Sequence, residues 1–385
     1  RIYCMKSLNR KNIINMTVLV TLIVCYALKF LVPAFYALTD KYAGLFVFLC
    51  ECLLLVNNFN VFKAIKEKDK EFFFISALIL IIGINLIIVN SGFGAFFTAA
   101  NFALIIYASD KIILSKKQVI FLSGVYMALL LFWLVILYPS YFGSYDASFA
   151  LNTNGAATFS TYTALLALIL LAHFYEKHSF VELFIVLLFV RILRLALWHR
   201  ARGAFIILTI FIFLFYILKG KFIESKKIYT AMVFMATFGS LIFVLSYTLI
   251  GKTGVNMFIP IFYKNVFSGR ENIWYEFFSY FIHKPLTGIG TNLTIESFVE
   301  FNVHNAMYDI LVIHGVIVFI MTMVIVFKRF NSYREKAKKN TLALLALCVL
   351  FAVFYESFID MDLIWADYSV NLIFLTAVIN AKYEE

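Results

Sequence analysis

Three short polar islands interrupt an otherwise apolar chain: RARGAF at 200–205, SGRENIW at 268–274 and VHNAMYDIL at 303–311. The chain is 63% hydrophobic and only 14% charged, so arginine and histidine inside it need a reason for being there, and in a membrane that reason is by default functional. A guanidinium pairs with phosphate oxygens, and a neutral imidazole takes a proton. Together they suit group transfer away from a phosphate leaving group, with charge stabilised by cations and a hydroxyl activated by a base.

The spacing refines this. Ser268 and Glu271 form an S-x-x-E capping box, and Ile273, Trp274, Phe277, Phe278 and Phe281 recur on one helical face until Pro285. The pattern predicts an amphipathic helix lying on the membrane or against the bundle. Its first turn, with Ser268, Gly269 and Arg270, offers backbone N–H groups and a cation to an anion; contact of Arg270 with lipid headgroups is the plainer alternative. Read as one helix, Arg191, Arg194 and Arg202 fall within about 80° of each other with His199 beside them, a basic stripe facing a wet cavity. Arg191 then lies roughly 17 Å above the inner end of its span, where an arginine costs about 2.5–3.5 kcal/mol on insertion scales. An ion pair with Glu51 or Glu182 is the structural alternative. His304 and Asn305 open a span at its outer end, where the helix terminus and nearby arginines keep the imidazole neutral. If 296–304 is helical, Glu296 and Glu300 stand behind His304 as candidate orienting carboxylates.

The elements that must position these residues are membrane helices. A mean hydropathy of +0.91 places the chain outside the soluble range. Apolar runs predict an all-α polytopic membrane protein with about 12 transmembrane helices, at 16–38, 43–59, 72–90, 94–109, 118–138, 156–174, 180–199, 203–219, 228–250, 305–327, 341–360 and 363–381. Residues 1–385 read as a single transmembrane domain containing a large extracytoplasmic loop at 251–304, with a second, shorter outer loop at 139–155. The first span is too long for a cleavable signal and reads as retained. With the N-terminus inside, 23 of the 33 basic residues fall on the cytoplasmic side, so both termini are expected there and the three islands outside.

The net charge of +11 is thus a topology signal suited to an anionic inner leaflet and membrane lipids, with no nucleic-acid partner expected. Cys4, Cys25, Cys50, Cys52 and Cys348 imply no disulfide or metal framework. Asp146, Asp360, Asp362 and Asp367 are outer-side carboxylates suited to binding sugar or to acid–base steps. Asp360 and Asp362 alone supply too few ligands for a metal. His173 and His178 fall near the inner surface, while His283 and Lys284 end the interfacial helix. His314 and Gly315 read as helix-packing residues.

RARGA at a span junction, SGR-x-x-x-W opening a helix in a large outer loop, KPLTGIG at 284–290, and HN before a span with HG at 314–315 follow one another in order. This arrangement, over residues 190–320, resembles the O-antigen ligase/polymerase superfamily, which includes Wzy-type polysaccharide polymerases. Ala201 stands where the family's first motif has serine. The resemblance implies a GT-C-like glycosyltransferase class acting without metal or cofactor on the outer face of the bacterial cytoplasmic membrane. It implies that Arg202 and Arg270 hold the diphosphate of an undecaprenyl-diphosphate-linked oligosaccharide and that His304 is the essential polar group beside the acceptor. Arg191, Arg194, His199, Ser268, Gly269 and Asn305 are then expected to contact the lipid-linked glycan. A flippase and a chain-length regulator are the expected partners. A ligase moving the glycan to lipid A core, wall polymer or protein is the nearest alternative. A lipid-linked oligosaccharide flippase is the alternative of another class, but the two halves show no internal repeat.

Overall fold

A computed structural model describes residues 2–141, 152–175, 178, 180–255, 257–297 and 302–383. Asp146 and Glu300 lie outside these residues. The protein is an all-α membrane protein, with six helices among the described residues long and apolar enough to cross a bilayer and four shorter apolar helices beside them. Such helices satisfy their own backbone groups, which lipid cannot do.

In chain order the helices are α1 (Ile2–Leu31), α2 (Pro33–Thr39), α3 (Ala43–Asn58), α4 (Val61–Lys66), α5 (Lys70–Ile88), α6 (Phe93–Ala108), α7 (Lys116–Leu131) and α8 (Thr153–Tyr175). They continue with α9 (Val181–Trp198), α10 (Arg202–Ile212) and α11 (Lys226–Lys252). A small antiparallel hairpin, β1 (Phe258–Ile259) and β2 (Lys264–Asn265), precedes α12 (Arg270–Phe281), with Phe258 opposite Asn265. The chain closes with α13 (Ala306–Ala337), α14 (Thr341–Glu356) and α15 (Ser369–Asn380). Local sequence sets several starts: Asp69 caps α5, Ser115 and Gln118 form a capping box on α7, and Asn340 caps α14. Helices α8, α14 and α15 are apolar nearly all round and form the buried centre.

Two expected spans are interrupted. The first, 16–38, breaks at Val32, because Pro33 has no N–H to continue α1 and instead begins α2. The tenth is broken inside α13 at Gly315, with φ 86° and ψ 168°. There the KPLTGIG segment crosses the helix: Ile289 N–H donates to Val312 O at 2.9 Å, Gly290 N–H to Ile313 O at 3.2 Å and Val316 N–H to Pro285 O at 2.9 Å. The loop replaces the helical bonds lost at the break. A Cβ on Gly288 would lie 2.2 Å from Ile313 O and one on Gly315 2.1 Å from Leu286 O, so both residues must be glycine. Asn85 Nδ2 donates to His314 O at 2.8 Å and ties α5 to the same break.

The far end of α13 is held by charge. Arg329 donates to Ile106 O at 3.0 Å, Tyr107 O at 2.8 Å and Asp110 Oδ2 at 3.0 Å, and it pairs with Glu71, which Lys328 also reaches at 2.7 Å. Arg334 donates to Glu224 O at 2.6 Å. These contacts pin the far end of α13 to α5 and α6 and to the segment before α11.

Candidate functional site

Helix α9 stops at Trp198 because Arg200 turns left-handed, φ 53°. Arg200 N–H donates to Leu197 O at 3.1 Å and Ala201 N–H to Ala196 O at 2.9 Å, a Schellman ending with a non-glycine residue at its left-handed position. The single basic stripe is therefore corrected: Arg202 begins a separate helix, and Arg191 and Arg194 remain on α9. Arg191 lies 5.2 Å from the centre of the Tyr138 ring, whose hydroxyl hydrogen-bonds His199 Nε2 at 2.8 Å. Arg194 is exposed. Among the described residues Glu51 has no partner on either carboxylate oxygen, so the alternative ion pair with Glu51 is not formed.

Arg202 leads α10 and clamps the segment after β2. Its Nη1 donates to Asn265 O and Val266 O, both at 3.1 Å, and its Nη2 to Ser268 Oγ at 3.3 Å. Tyr247 braces the same segment, donating its hydroxyl to Val266 O at 2.6 Å and accepting from Ser268 N–H at 3.2 Å. Lys264 donates to Arg200 O at 3.0 Å, and the Arg200 guanidinium lies 5.0 Å from the Tyr263 ring centre.

Helix α12 starts one residue later than the capping box requires. Gly269 is the N-cap at φ 90°, and no side chain caps the turn. Ser268 is drawn instead to Arg202, while Glu271 Oε2 accepts the Gly269 N–H at 3.1 Å. The first turn is thus left open, with Arg270 as its leading residue. Ile273, Trp274 and Phe277 are buried and Phe278 is exposed, so the helix packs against the bundle.

Arg270 is the centre of the site. Among the described residues it makes no hydrogen bond or ion pair, and it acts electrostatically on Arg202, Lys264, His304 and Glu356. Lys264 is pushed down by burial and then by Arg202, Arg200 and Arg270. Four cations repel one another here, which is the condition under which a phosphate-bearing ligand is favoured.

His304 sits in a left-handed turn, φ 53°, with its N–H donated to Asn302 Oδ1 at 2.8 Å. Burial first and Arg270 second lower its pKa to about 4, against an upward pull from Asp360. The ring is therefore neutral at pH 7. Asn305, expected to touch substrate, is wholly buried: its Oδ1 accepts from Ser240 Oγ and Tyr308 N–H, both at 2.9 Å, and its Nδ2 donates to Phe358 O at 2.8 Å. It caps α13 and fixes the turn below His304. Glu296 is also corrected. Residues 296–297 and 302–304 are not helical, and Glu296 is exposed. Glu276 holds it there, accepting from Glu296 N–H at 2.7 Å and from Ser297 N–H at 2.9 Å. Burial raises the Glu276 pKa, but the hydrogen bonds from Ser297 and Glu296 outweigh it and bring it down. Among the described residues, Asp360 is a carboxylate that acts on His304.

Sequence reasoning missed Glu356. It ends α14, is 1% exposed, and its Oε2 has no hydrogen-bond partner among the described residues. A Cβ on Gly203 would lie 2.7 Å from its Oε1, so the glycine of RARGA makes room for this carboxylate. The signal was a lone acid closing an apolar helix. Burial first, then Asp360 and Asp367, raise the Asp362 pKa well above the usual carboxylate range. Asp367 is taken up by Lys29, which also donates to Asp40 at 2.9 Å. Among the described residues no three His, Cys, Asp or Glu side chains group as metal ligands.

Comparison with protein-family models, curated proteins and solved structures finds no match to this chain.

Proposed function

We propose that the protein is a Wzy-type polymerase that transfers a glycan from undecaprenyl diphosphate onto another lipid-linked repeat unit. The observation that carries this reading is the convergence of Arg202, a neutral His304 and Arg270, which pairs with nothing among the described residues, at one end of a membrane bundle. Arg270, with Arg202 and the open first turn of α12, takes the diphosphate as the C1–O bond breaks. His304 accepts the proton of the attacking hydroxyl. Attack from the face opposite the diphosphate inverts the anomeric centre. The leaving group is stabilised by guanidinium groups, so the mechanism runs without metal or cofactor.

In this reading the bundle has about 12 spans of a GT-C-like class and sits in the bacterial cytoplasmic membrane. Both termini are cytoplasmic and the site faces outward, as the lysine and arginine distribution favours. The flippase that delivers lipid-linked units and a chain-length regulator are its partners. The test is to incubate the purified protein with lipid-linked repeat units alone. A polymerase yields a ladder; no product until lipid A core, wall polymer or protein is added identifies a ligase instead.

A further inference from the structure

A cavity lies directly beside the His304 turn. It measures about 270 Å³ and is lined by Thr98, Thr291, Asn302, Val303, Asp309 and Trp365 among others. This is near the lower end of the ~300–1,000 Å³ typical of small-molecule sites, enough for a sugar ring and too small for a long lipid tail. Its polar lining groups, Thr98, Thr291, Asn302 and Asp309, are few, as in sites that orient a neutral polar ligand.

Asp309, in the first turn of α13, is 6% exposed, and among the described residues nothing donates a hydrogen bond to its carboxylate. A carboxylate that lines a cavity and receives no donor from the protein is a place where a ligand supplies one. Asn302 uses its Oδ1 on His304 N–H, and among the described residues its Nδ2 has no acceptor. Thr291 accepts from Gly92 N–H at 3.1 Å and pairs with Ser91 Oγ at 2.9 Å, which fixes its place in the lining. Trp365 is 36% exposed and presents an apolar face beside these polar groups. Asp309 is the one acidic side chain among the described lining residues, which makes the cavity unfavourable for an anion. A single unaccompanied carboxylate is a poor cation site. A neutral polyol with an apolar face satisfies every group.

We propose that this cavity is the subsite for one pyranose ring of the glycan, its hydroxyls donating to Asp309 and accepting from Asn302 while its C–H face rests on Trp365. The assignment rests on the glycosyl-transfer reading of the adjoining site. Asn302 links the two, since the residue that contacts the sugar also holds the backbone of His304. The ring bound here thus fixes where the attacking hydroxyl lies relative to the imidazole.

The test uses the full chain in lipid nanodiscs with free glucose, galactose, N-acetylglucosamine and rhamnose as probes, read by saturation-transfer NMR. At least one pyranose binds the wild type, and both Asp309→Asn and Trp365→Ala weaken it at least tenfold; the second variant keeps the test valid if the first fails to fold. No binding by any of the four, or binding indifferent to both substitutions, overturns the subsite. The same preparations are assayed for the polymer ladder. Pyranose binding that depends on Asp309 and Trp365 without any ladder or ligase product keeps the subsite and rejects the transferase; a ladder without pyranose binding does the reverse.

Discussion

Trp274 donates its indole N–H to the carbonyl of Val303 at 2.7 Å, and this one bond joins the helix led by Arg270 to the turn that carries His304. Arg270 and Trp274 are one helical turn apart on α12, so the same face that delivers the guanidinium also grips the residue before the imidazole. The Tyr308 hydroxyl closes the arrangement by donating to Trp274 O at 2.9 Å.

Trp274→Phe keeps most of the packing and removes the donor, leaving a buried carbonyl unpaired. Stability is expected to fall by about 1–3 kcal/mol. Transfer is expected to fall further than stability accounts for, because Arg270 and His304 lose their common brace. Thermal unfolding in detergent, compared with initial transfer rates at a temperature where both proteins are folded, separates the two effects.

Gly203→Ala puts a methyl group 2.7 Å from where Glu356 Oε1 now lies. The crowding is expected to cost on the order of 1–3 kcal/mol and to displace the carboxylate. Glu356→Ala in the same chain relieves the clash, so the double variant is more stable than the two single losses added together. Chemical denaturation of the four proteins of this cycle measures the coupling; simple additivity refutes the contact.

Gly288→Ala and Gly315→Ala each drive a side chain into backbone that cannot move aside, at 2.2 and 2.1 Å, and each also demands a left-handed conformation. Each is expected to cost more than ~3 kcal/mol. The check is loss of the monodisperse peak in size-exclusion chromatography of the tagged protein.

His304 must be neutral to accept a proton, and its pKa of about 4 keeps it so at neutral pH. Transfer is therefore expected to stay level down to about pH 5 and to fall as pH drops through its pKa. The stability sign agrees: an unfolded histidine titrates near ~6.5, so the contribution of the buried neutral ring is present above that value and is lost as pH falls toward about 4. Asp360→Asn removes the upward pull and moves the acid limb of the rate profile to lower pH; a limb that does not move excludes Asp360 as the neighbour that tunes His304.

The parts of this site that were legible in the sequence are those where a charge is expensive. Arg202, Arg270 and His304 stand out in apolar surroundings because lipid makes any cation or imidazole conspicuous. What the sequence hid depends on chain reversals and distant contacts. Arg200 ends α9 without the glycine that usually announces such a stop, so periodicity carried the basic stripe past it. Ser268 and Glu271 have capping-box spacing, but Arg202 on another helix competes for the serine. Glu296 has the right spacing to reach His304 only if its segment is helical, and Glu276 pins it elsewhere. The crossing of Gly288 over Gly315 needs two glycines from separate elements, which no local pattern links.

The central claim is that Arg270 stabilises a diphosphate leaving group beside His304. It is tested most directly by single-turnover transfer from an undecaprenyl-diphosphate-linked repeat unit, with Arg270→Ala against wild type at equal folded protein. The account predicts a loss of about 10²–10³ in the rate of the chemical step, the scale of removing one preorganised charge stabiliser. A rate within a few-fold of wild type contradicts it.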